Sequence, residues 1–470
     1  MDILNKKILL SLLIILWGFG AWSCETTIKT ATPGHNAGQI TTPKLKPNVI
    51  IISMDSLRLD HLGCYGYQKA TSPNIDKLGR ENILFKQAIA QASWTLPSNV
   101  SLLTGRYPFS HQLIASDYIL SPKEVTLAEV LKLYDYKTVA FTGGFNISSV
   151  YNVNQGFDLF FDEIEHGRLE DVLPPALNWL KTNYQLPVTG NRLPNTDDPL
   201  PDTTPRPFFL FLQAYDTHAP HKFPPKYLKM HENGYKGIFN GFVMDHSLGD
   251  NIIWYNYRHP NTSELIKLTK ADINHIIANY DAALTYADKQ LGGFFDNLNE
   301  LGLDKNTIIV FLSDHGETHL ERGRILKRTH GGLYEEGIHV PLIIKLPPDL
   351  DSALCPNSAI DQQVQLIDIM PTILNLLNIP VNKECQGESL VPLINGTALE
   401  NFNQYVYTCG GTTPETYQCA VRTQDWKLLY FKEDQQNVFK NERWELYNFK
   451  NDPLEQYNLI EGAFPVRGVL

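Results

Sequence analysis

Five apolar runs stand out along this chain: Asn48–Met54 (NVIIISM), Thr138–Thr142, Phe208–Ala214 (FFLFLQA), Thr307–Ser313 (TIIVFLS) and Val340–Leu346 (VPLIIKL). Runs this short and this continuous predict strands buried on both faces, as in a parallel sheet. Between them lie stretches with helical periodicity: Thr126–Tyr134, Leu173–Tyr184, Ile273–Leu298 and Val364–Leu377. The alternation predicts an α/β fold, a large domain with a mostly parallel sheet flanked by helices. Ligands of such sheets sit beyond the carboxyl ends of the strands. Asp55, Asp216 with His218, and Asp314 with His315 all fall just past those ends. Three strand ends carrying acids and imidazoles predict a site.

From Gln404 onward the texture changes to short alternating segments: Gln404–Thr408, Gln418–Arg422, Trp426–Phe431 and Trp444–Phe449. These predict a small C-terminal antiparallel sheet packed on the main domain. Two stretches read as insertions. Pro187–Pro207 is rich in Pro, Thr and Asp, and a surface loop is expected there. Glu232–His259 carries aromatics that are expected to pack the insertion down rather than shape a substrate pocket.

The N-terminus has its own pattern. Lys6-Lys7 precede an apolar stretch, Ile8–Trp22, followed by Ser23-Cys24. This is a secretory signal pattern, short for a stable membrane span, and Ala21–Cys24 resembles a bacterial lipobox. Residues 25–46, without apolar periodicity, read as a flexible tether. The expected organisation is therefore a signal peptide with lipobox over 1–24, a tether over 25–46, a catalytic domain over 47–395 and a small subdomain over 396–470. An exported, envelope-located protein is expected, touching membrane only through an N-terminal lipid or signal anchor.

Charge narrows the function classes. The net charge of −11 and the pI near 5.7 leave no footprint for nucleic acid. An acidic protein that binds an anionic ligand must concentrate positive charge locally, and a metal ion does that. The cysteines lack metal-site spacing. Cys355 with Cys385, and Cys409 with Cys419, could pair in an oxidising compartment, leaving Cys64 free; buried thiols are the alternative.

The chemistry-bearing motifs come in a definite order. Asn48–Arg58 (NVIIISMDSLR) leads into Asp60–Tyr67 (DHLGCYGY), then Ser93–Pro108 (SWTLPSNVSLLTGRYP), His218–His221 (HAPH), Ser313–Glu317 (SDHGE) and Tyr334–Ile343 (YEEGIHVPLI). Val421–Leu428 and Glu445–Phe449 complete the series. From about residue 47 to the C-terminus the chain resembles the sulfatase family of the alkaline phosphatase superfamily. The resemblance implies an alkaline phosphatase-like fold and one divalent metal ion held by Asp55, Asp314 and His315, with the oxygen of residue 95 on the same ion. Judged by themselves, hard carboxylate oxygens and one imidazole suit Ca²⁺, Mg²⁺ or Mn²⁺, and Zn²⁺ if more imidazole joins. Many relatives carry a second Asp directly after the first; here Ser56 stands in that place.

Thr95 stands where sulfatases carry the Cys or Ser that is oxidised to formylglycine. Threonine cannot give that aldehyde hydrate, so the expected nucleophile is its hydroxyl, activated by the metal. Pro97-Ser98 predict a helix start, which places the attacked anion near free backbone amides. Asn99 replaces the family's usual Arg, and His330 its usual Lys. His218 is a candidate to contact the ester oxygens or protonate the leaving group, and His330 a candidate catalytic or group-binding donor. His221, Asn99 and Arg58 are candidates for substrate binding. Asp216, His218 and His330 could alternatively form a second metal site. The expected function is an exported, metal-dependent hydrolase of sulfate or phosphate/phosphonate esters, acting on a small-molecule, glycan or lipid ester through a covalent Thr95 intermediate. Two alternatives stand beside it: a phospho-alcohol transferase acting on envelope glycans or lipids, and a non-catalytic binding protein on the same fold.

Overall fold

The strands expected from the apolar runs do form, and side-chain alternation explains why the runs are unbroken. The computed structural model describes residues 46–114, 118–184, 206–232, 234–239, 251–253, 255–259, 262–321, 332–354, 359–397, 402–410, 418–432 and 443–460. In strand β1 (Asn48–Met54), Val49 and Ile51 enter one hydrophobic core while Ile50, Ile52 and Met54 enter another on the opposite face. Strands β5 (Phe208–Ala214) and β9 (Thr307–Ser313) divide the same way. A strand covered by helices on both sides has no face left for polar residues.

The sheet has eight strands in the order β11-β2-β10-β9-β1-β5-β3-β4, with β2 Ile83–Ile89, β3 Lys137–Thr142, β4 Leu159–Phe161, β10 His339–Lys345 and β11 Ala359–Gln365. β1 runs parallel to β5 and β9 at the centre. The expectation of a mostly parallel sheet holds, with one correction. β10, expected to repeat the parallel theme over Val340–Leu346, runs antiparallel to both β9 and β2. A parallel connection needs a crossover, usually helical, of a dozen or more residues. Among the described residues between β9 and β10 there is only the short helix Glu335–Ile338. Gly316 N–H also bonds Gly337 O at 2.9 Å, so the chain has already turned back. A Cβ at Gly316 would sit 1.9 Å from Glu336 O, which is why glycine is needed there.

The four predicted helices are present with shifted ends. Leu127–Leu133 opens on a capping box from Thr126 and Glu129. The 31-residue helix Lys270–Glu300 opens on another, from Thr269 and Asp272. The helix expected to span Val364–Leu377 covers only Ile369–Leu376, because Ala359–Gln365 is the edge strand β11. The helix Leu169–Tyr184 starts four residues before its periodicity does. Its cap comes from elsewhere in the chain: Asp216 Oδ2 accepts Leu169 N–H at 2.9 Å.

The C-terminal strands β12 Val406–Gly410, β13 Gln418–Arg422, β14 Trp426–Phe431 and β15 Arg443–Asn448 form the expected antiparallel sheet in sequential order. Glu335 ties it to the main domain, contacting Arg422 at 3.0 Å and the buried Lys427 at 3.1 Å. Burial alone would push the Glu335 carboxyl up, but the two cations hold it well below the usual carboxylate range. Cys409 and Cys419 face each other across β12 and β13 as thiols, sulfurs 3.8 Å apart. Burial, with Asp76 nearby, pushes the Cys64 thiol up to about 12, which makes it inert. Cys24, Cys355, the leader, most of the Pro187–Pro207 insertion and His330 lie outside the described residues. Within the second insertion, Phe239 and Tyr257 bury against Ile276 of the long helix and Tyr235 stacks on His275, so these aromatics pack the insertion down. No described helix is long and apolar enough to cross a membrane.

Candidate active site

The carboxyl ends of β1 and β9 lie side by side, with Met54 paired to Ser313. Each strand hands its next residue to one buried point. Asp55, Asp314 and His315 offer ligand atoms within 4.8 Å of one another, all three fully buried. His315 Nε2 lies 3.7 Å from Asp55 Oδ1 and 3.8 Å from Asp314 Oδ2. Its Nδ1 is 2.8 Å from the Gly316 carbonyl. That carbonyl can only accept, so Nδ1 carries the proton and the Nε2 lone pair points into the cluster.

The helix Thr95–Thr104 supplies the third side, beginning two residues before Pro97. Thr95 is its first residue, and its hydroxyl donates to Asp55 Oδ2 at 2.8 Å and lies 3.3 Å from His315 Nε2. Thr95 and Asn99 are one helical turn apart and share a face. Asn99 Nδ2 donates to Asp314 Oδ2 at 2.8 Å and to Thr95 O at 2.9 Å. Its Oδ1 accepts Ser53 Oγ–H at 3.0 Å. Asn99 thus braces the Asp314 carboxylate and the Thr95 backbone together, rather than facing outward as an anion-binding arm.

The electrostatics of the cluster favour a cation. Burial, and then the facing Asp55, push the Asp314 carboxyl well above the usual range. Two buried carboxylates this close together are costly unless a cation joins them. The donors fit a divalent ion: two carboxylates match its charge, and Thr95 Oγ brings a fourth donor atom to the same point.

The remaining candidates divide. His218, on the loop after β5, sets its Nδ1 2.5 Å from Ala219 O, and its ring meets those of Tyr215 and His166 at 5.6 and 5.9 Å. His221 Nε2 lies 3.2 Å from Thr217 O, a contact that holds its own loop. Arg58 is buried and committed elsewhere: it pairs with Asp60 at 2.7 Å and with Glu321, and donates to Glu317 O. Asp216 turns away to cap the helix Leu169–Tyr184, and the described groups that could hold a metal do not include it. Among the described residues, then, nothing assembles a second metal site around Asp216 and His218.

Asp216 yields a stability prediction. Burial pushes its carboxyl up to about 7 from 3.8. Between those values the folded chain binds more protons than the unfolded chain, so this group's contribution to stability falls as pH rises from about 4 to about 7. Asp216→Asn keeps an acceptor for Leu169 N–H and is expected to flatten that slope in urea unfolding at pH 5 and 7. A slope unchanged from wild type would show that Asp216 is ionised throughout.

Several side chains hold the site through bonds that the linear pattern does not mark. Ser56 Oγ donates to Asp55 Oδ1 at 2.8 Å, Thr217 Oγ1 to Asp55 O at 2.5 Å, and Ser98 Oγ to Asp314 O at 2.6 Å. His166 lies beside His218 and within the field of Asp55. The one available signal is positional: Ser53 and Gln213 are polar residues at the carboxyl ends of otherwise apolar runs. Gln213 Nε2 comes to 3.5 Å from Asp55 Oδ2.

With the site in view, comparison with known proteins is informative. The family profile described as Sulfatase matches residues 47–379, and that of the N-sulphoglucosamine sulphohydrolase C-terminal region matches residues 323–464. An ulvan-active sulfatase of Formosa agariphila is 26% identical over an alignment covering 98% of this chain and 86% of that protein. An N-acetylglucosamine-6-O-sulfatase of Bacteroides thetaiotaomicron is 23% identical, covering 89% and 83%. Among solved structures, a protein in complex with its substrate D-glucosamine-2-N,6-O-disulfate superposes with a TM-score of 0.68 at 19% identity, covering 89% of this chain and 94% of that one. The phosphonate monoester hydrolase of Agrobacterium radiobacter superposes with a TM-score of 0.64 at 20% identity, covering 89% and 92%. The matched profile takes in both strand ends, the Thr95 helix and all eight strands of the large sheet, and on that match the chain belongs to the sulfatase family.

Proposed function

We propose that this sulfatase-family hydrolase is an exported, metal-dependent enzyme that cleaves a sulfate or phosphonate ester on a glycan, with Thr95 as nucleophile. The observation that carries the reading is the Thr95 hydroxyl at a helix N-terminus, 2.8 Å from Asp55 Oδ2 and 3.3 Å from His315 Nε2. Asp55, Asp314, His315 and Thr95 would hold the divalent ion, which when bound supplies Lewis acidity that lowers the hydroxyl's pKa.

The chain's own groups do the rest. The first-turn amides of the Thr95 helix favour the anionic group of the ester. Thr95 Oγ gives its proton to Asp55 Oδ2, the acceptor it already faces, and attacks the central sulfur or phosphorus; the bond to the leaving alcohol breaks, and the alkoxide takes up a proton. His218 is the proposed donor; its Nδ1 faces a carbonyl, so exchange with substrate falls to Nε2. The product of this step is an ester of Thr95. A threonine ester has no second hydroxyl on Cβ and cannot expel the group by collapse, so water must attack the central atom and return Thr95 as an alcohol. The replacement of Arg by neutral Asn99 suits a monoanionic ester, and the glycan assignment rests on the relatives named as acting on ulvan and N-acetylglucosamine-6-O-sulfate. Export and lipidation at Cys24 complete the proposal on the leader pattern alone.

The test is turnover of p-nitrophenyl sulfate, p-nitrophenyl phosphate, bis-p-nitrophenyl phosphate and p-nitrophenyl phenylphosphonate by metal-loaded protein, followed by acid quench and peptide mass spectrometry. Turnover of the sulfate or the phosphonate, with the group trapped on the Thr95 peptide, is expected. Turnover without modified Thr95, or with it on another residue, would overturn the nucleophile.

A further inference from the structure

Two thiols that the proposed mechanism does not use lie on strands that brace the approach to the Thr95 helix. Cys409 in β12 and Cys419 in β13 are register partners, their sulfurs 3.8 Å apart. Cys409 N–H points away from β13 and bonds Gln91 O at 2.9 Å, so the two cysteines form a non-hydrogen-bonded pair of the antiparallel ladder. In such pairs the Cα atoms stand about 4.5 Å apart, inside the span of about 4.4–6.8 Å that a disulfide bridges. Closing the pair is a matter of side-chain rotation, with the backbone already in place.

The outer edge of β12 grips the chain just before Thr95. Besides the Cys409 bond to Gln91, Thr408 Oγ1 donates to Ala90 O at 3.0 Å. A Cβ on Gly410 would come within 3.1 Å of Ser93 Oγ, so β12 lies close along this segment. Trp94, the N-cap of the Thr95 helix, follows directly. Cys409 is buried and Cys419 half-buried, so an oxidant meets Cys419 first.

We propose that Cys409 and Cys419 close to a disulfide when a disulfide oxidant is present, and that this bond staples β12 to β13 and steadies Ala90–Ser93 at the entry to the Thr95 helix. With oxidised glutathione, the Cys419 thiol loses its proton to solvent and the thiolate attacks one glutathione sulfur, expelling the other half as a thiolate that takes up a proton. The Cys409 thiolate, formed in the same way, attacks the Cys419 sulfur of the mixed disulfide and expels the second glutathione thiolate. The protein loses two hydrogens with their two electrons, and the glutathione disulfide becomes two thiols. Closing this short loop in the unfolded chain is expected to disfavour separation of β12 from β13 about a hundredfold. The consequence for Thr95 rests on the functional reading above; the bond and its hold on β12 do not.

The full chain is treated with oxidised glutathione or with dithiothreitol, mapped by peptide mass spectrometry without reduction, and followed by amide hydrogen exchange. The expected result is a direct link between the Cys409 and Cys419 peptides with loss of two hydrogens. Exchange in the Val406–Gly410 peptide should then slow at least about tenfold against the reduced chain, and dithiothreitol should reverse both changes. In Cys419→Ala the two treatments should give the same exchange. On heating, turnover of a p-nitrophenyl ester should persist longer in the oxidised chain. A glutathione adduct left on Cys419, or a link from either cysteine to another one, overturns the bond. A direct link with unchanged exchange in Val406–Gly410 overturns the staple, and slowed exchange with unchanged heat inactivation overturns the coupling to Thr95. Absence of turnover in both redox forms overturns the functional reading, while mass and exchange still decide the bond and the staple. Should Cys419→Ala not fold, reversal by dithiothreitol takes its place as the control, and slowed exchange that persists after reduction overturns the proposal.

Discussion

Replacing Thr95 with Ala is expected to lower turnover of the best p-nitrophenyl ester about a thousandfold or more, because it removes the hydroxyl proposed to form the covalent ester. That loss corresponds to about 4 kcal/mol of transition-state stabilisation. The fold should be unaffected: Thr95 is the first helical residue, it does not cap its helix, and Trp94 holds the N-cap position. Metal binding should weaken but persist, since Asp55, Asp314 and His315 remain. Thr95→Ser keeps the hydroxyl and is expected to retain a substantial part of the activity. Steady-state kinetics with metal titration on the same preparations separates the two effects. An active Thr95→Ala protein would return the chemistry to a water molecule and remove the covalent step.

Asp55→Asn carries the second large effect, and its sign reverses between the apo and loaded protein. The Asp55 carboxylate receives a hydroxyl at each oxygen, Ser56 Oγ–H at Oδ1 and Thr95 Oγ1–H at Oδ2, and the Gln213 amide reaches Oδ2 at 3.5 Å, where an Asn oxygen would still accept it. Hydroxyls accept as readily as they donate, so an amide can take the place of the carboxylate without stranding a partner. The substitution also removes the negative charge that faces Asp314 in the buried cluster. Apo Asp55→Asn is therefore expected to be more stable than apo wild type by about 1–2 kcal/mol. Metal should then do nothing for it, whereas wild type gains about 4 kcal/mol at a thousandfold excess over Kd. Asp314→Asn should not behave this way, since its partners, His315 N–H and Asn99 Nδ2, are donors only. Thermal melts with and without chelator read both terms. A metal-induced rise in Tm of Asp55→Asn equal to that of wild type would remove Asp55 from the ligand set.

The same contrast shows which parts of the site were legible beforehand. Asp55, Asp314 and His315 follow directly from strand ends, because a parallel sheet delivers the residues after its strands to one edge. Thr95 was legible through the motif around it. Asp216 and Arg58 also follow strand ends and were candidates for an alternative second metal site and for substrate binding, yet one caps a helix and the other sits in an ion-pair cluster with Asp60 and Glu321. An acid past a strand end has two ways to be satisfied, by a ligand or by backbone amides, and only the neighbouring element decides between them. Asn99 shows the finer version of this: its substitution for Arg reads as a lost cation, and in the fold it is a brace between Asp314 and the Thr95 backbone.

The amino-acid sequence by itself determined the two-faced central strands, the main helices and the change to a small antiparallel C-terminal sheet, because hydrophobic period is a local property that burial reads directly. It also determined the donor types at the β1 and β9 ends and the threonine beside them. The reversed direction of β10, the start of the Leu169 helix and the roles of Ser53 and Ser98 were decided by tertiary structure alone. Each depends on a partner far away along the chain: Gly337 against Gly316, Asp216 against Leu169, Asp314 O against Ser98. Hydrogen bonds of short polar side chains have no period and no characteristic spacing, so only the packed fold can pair them.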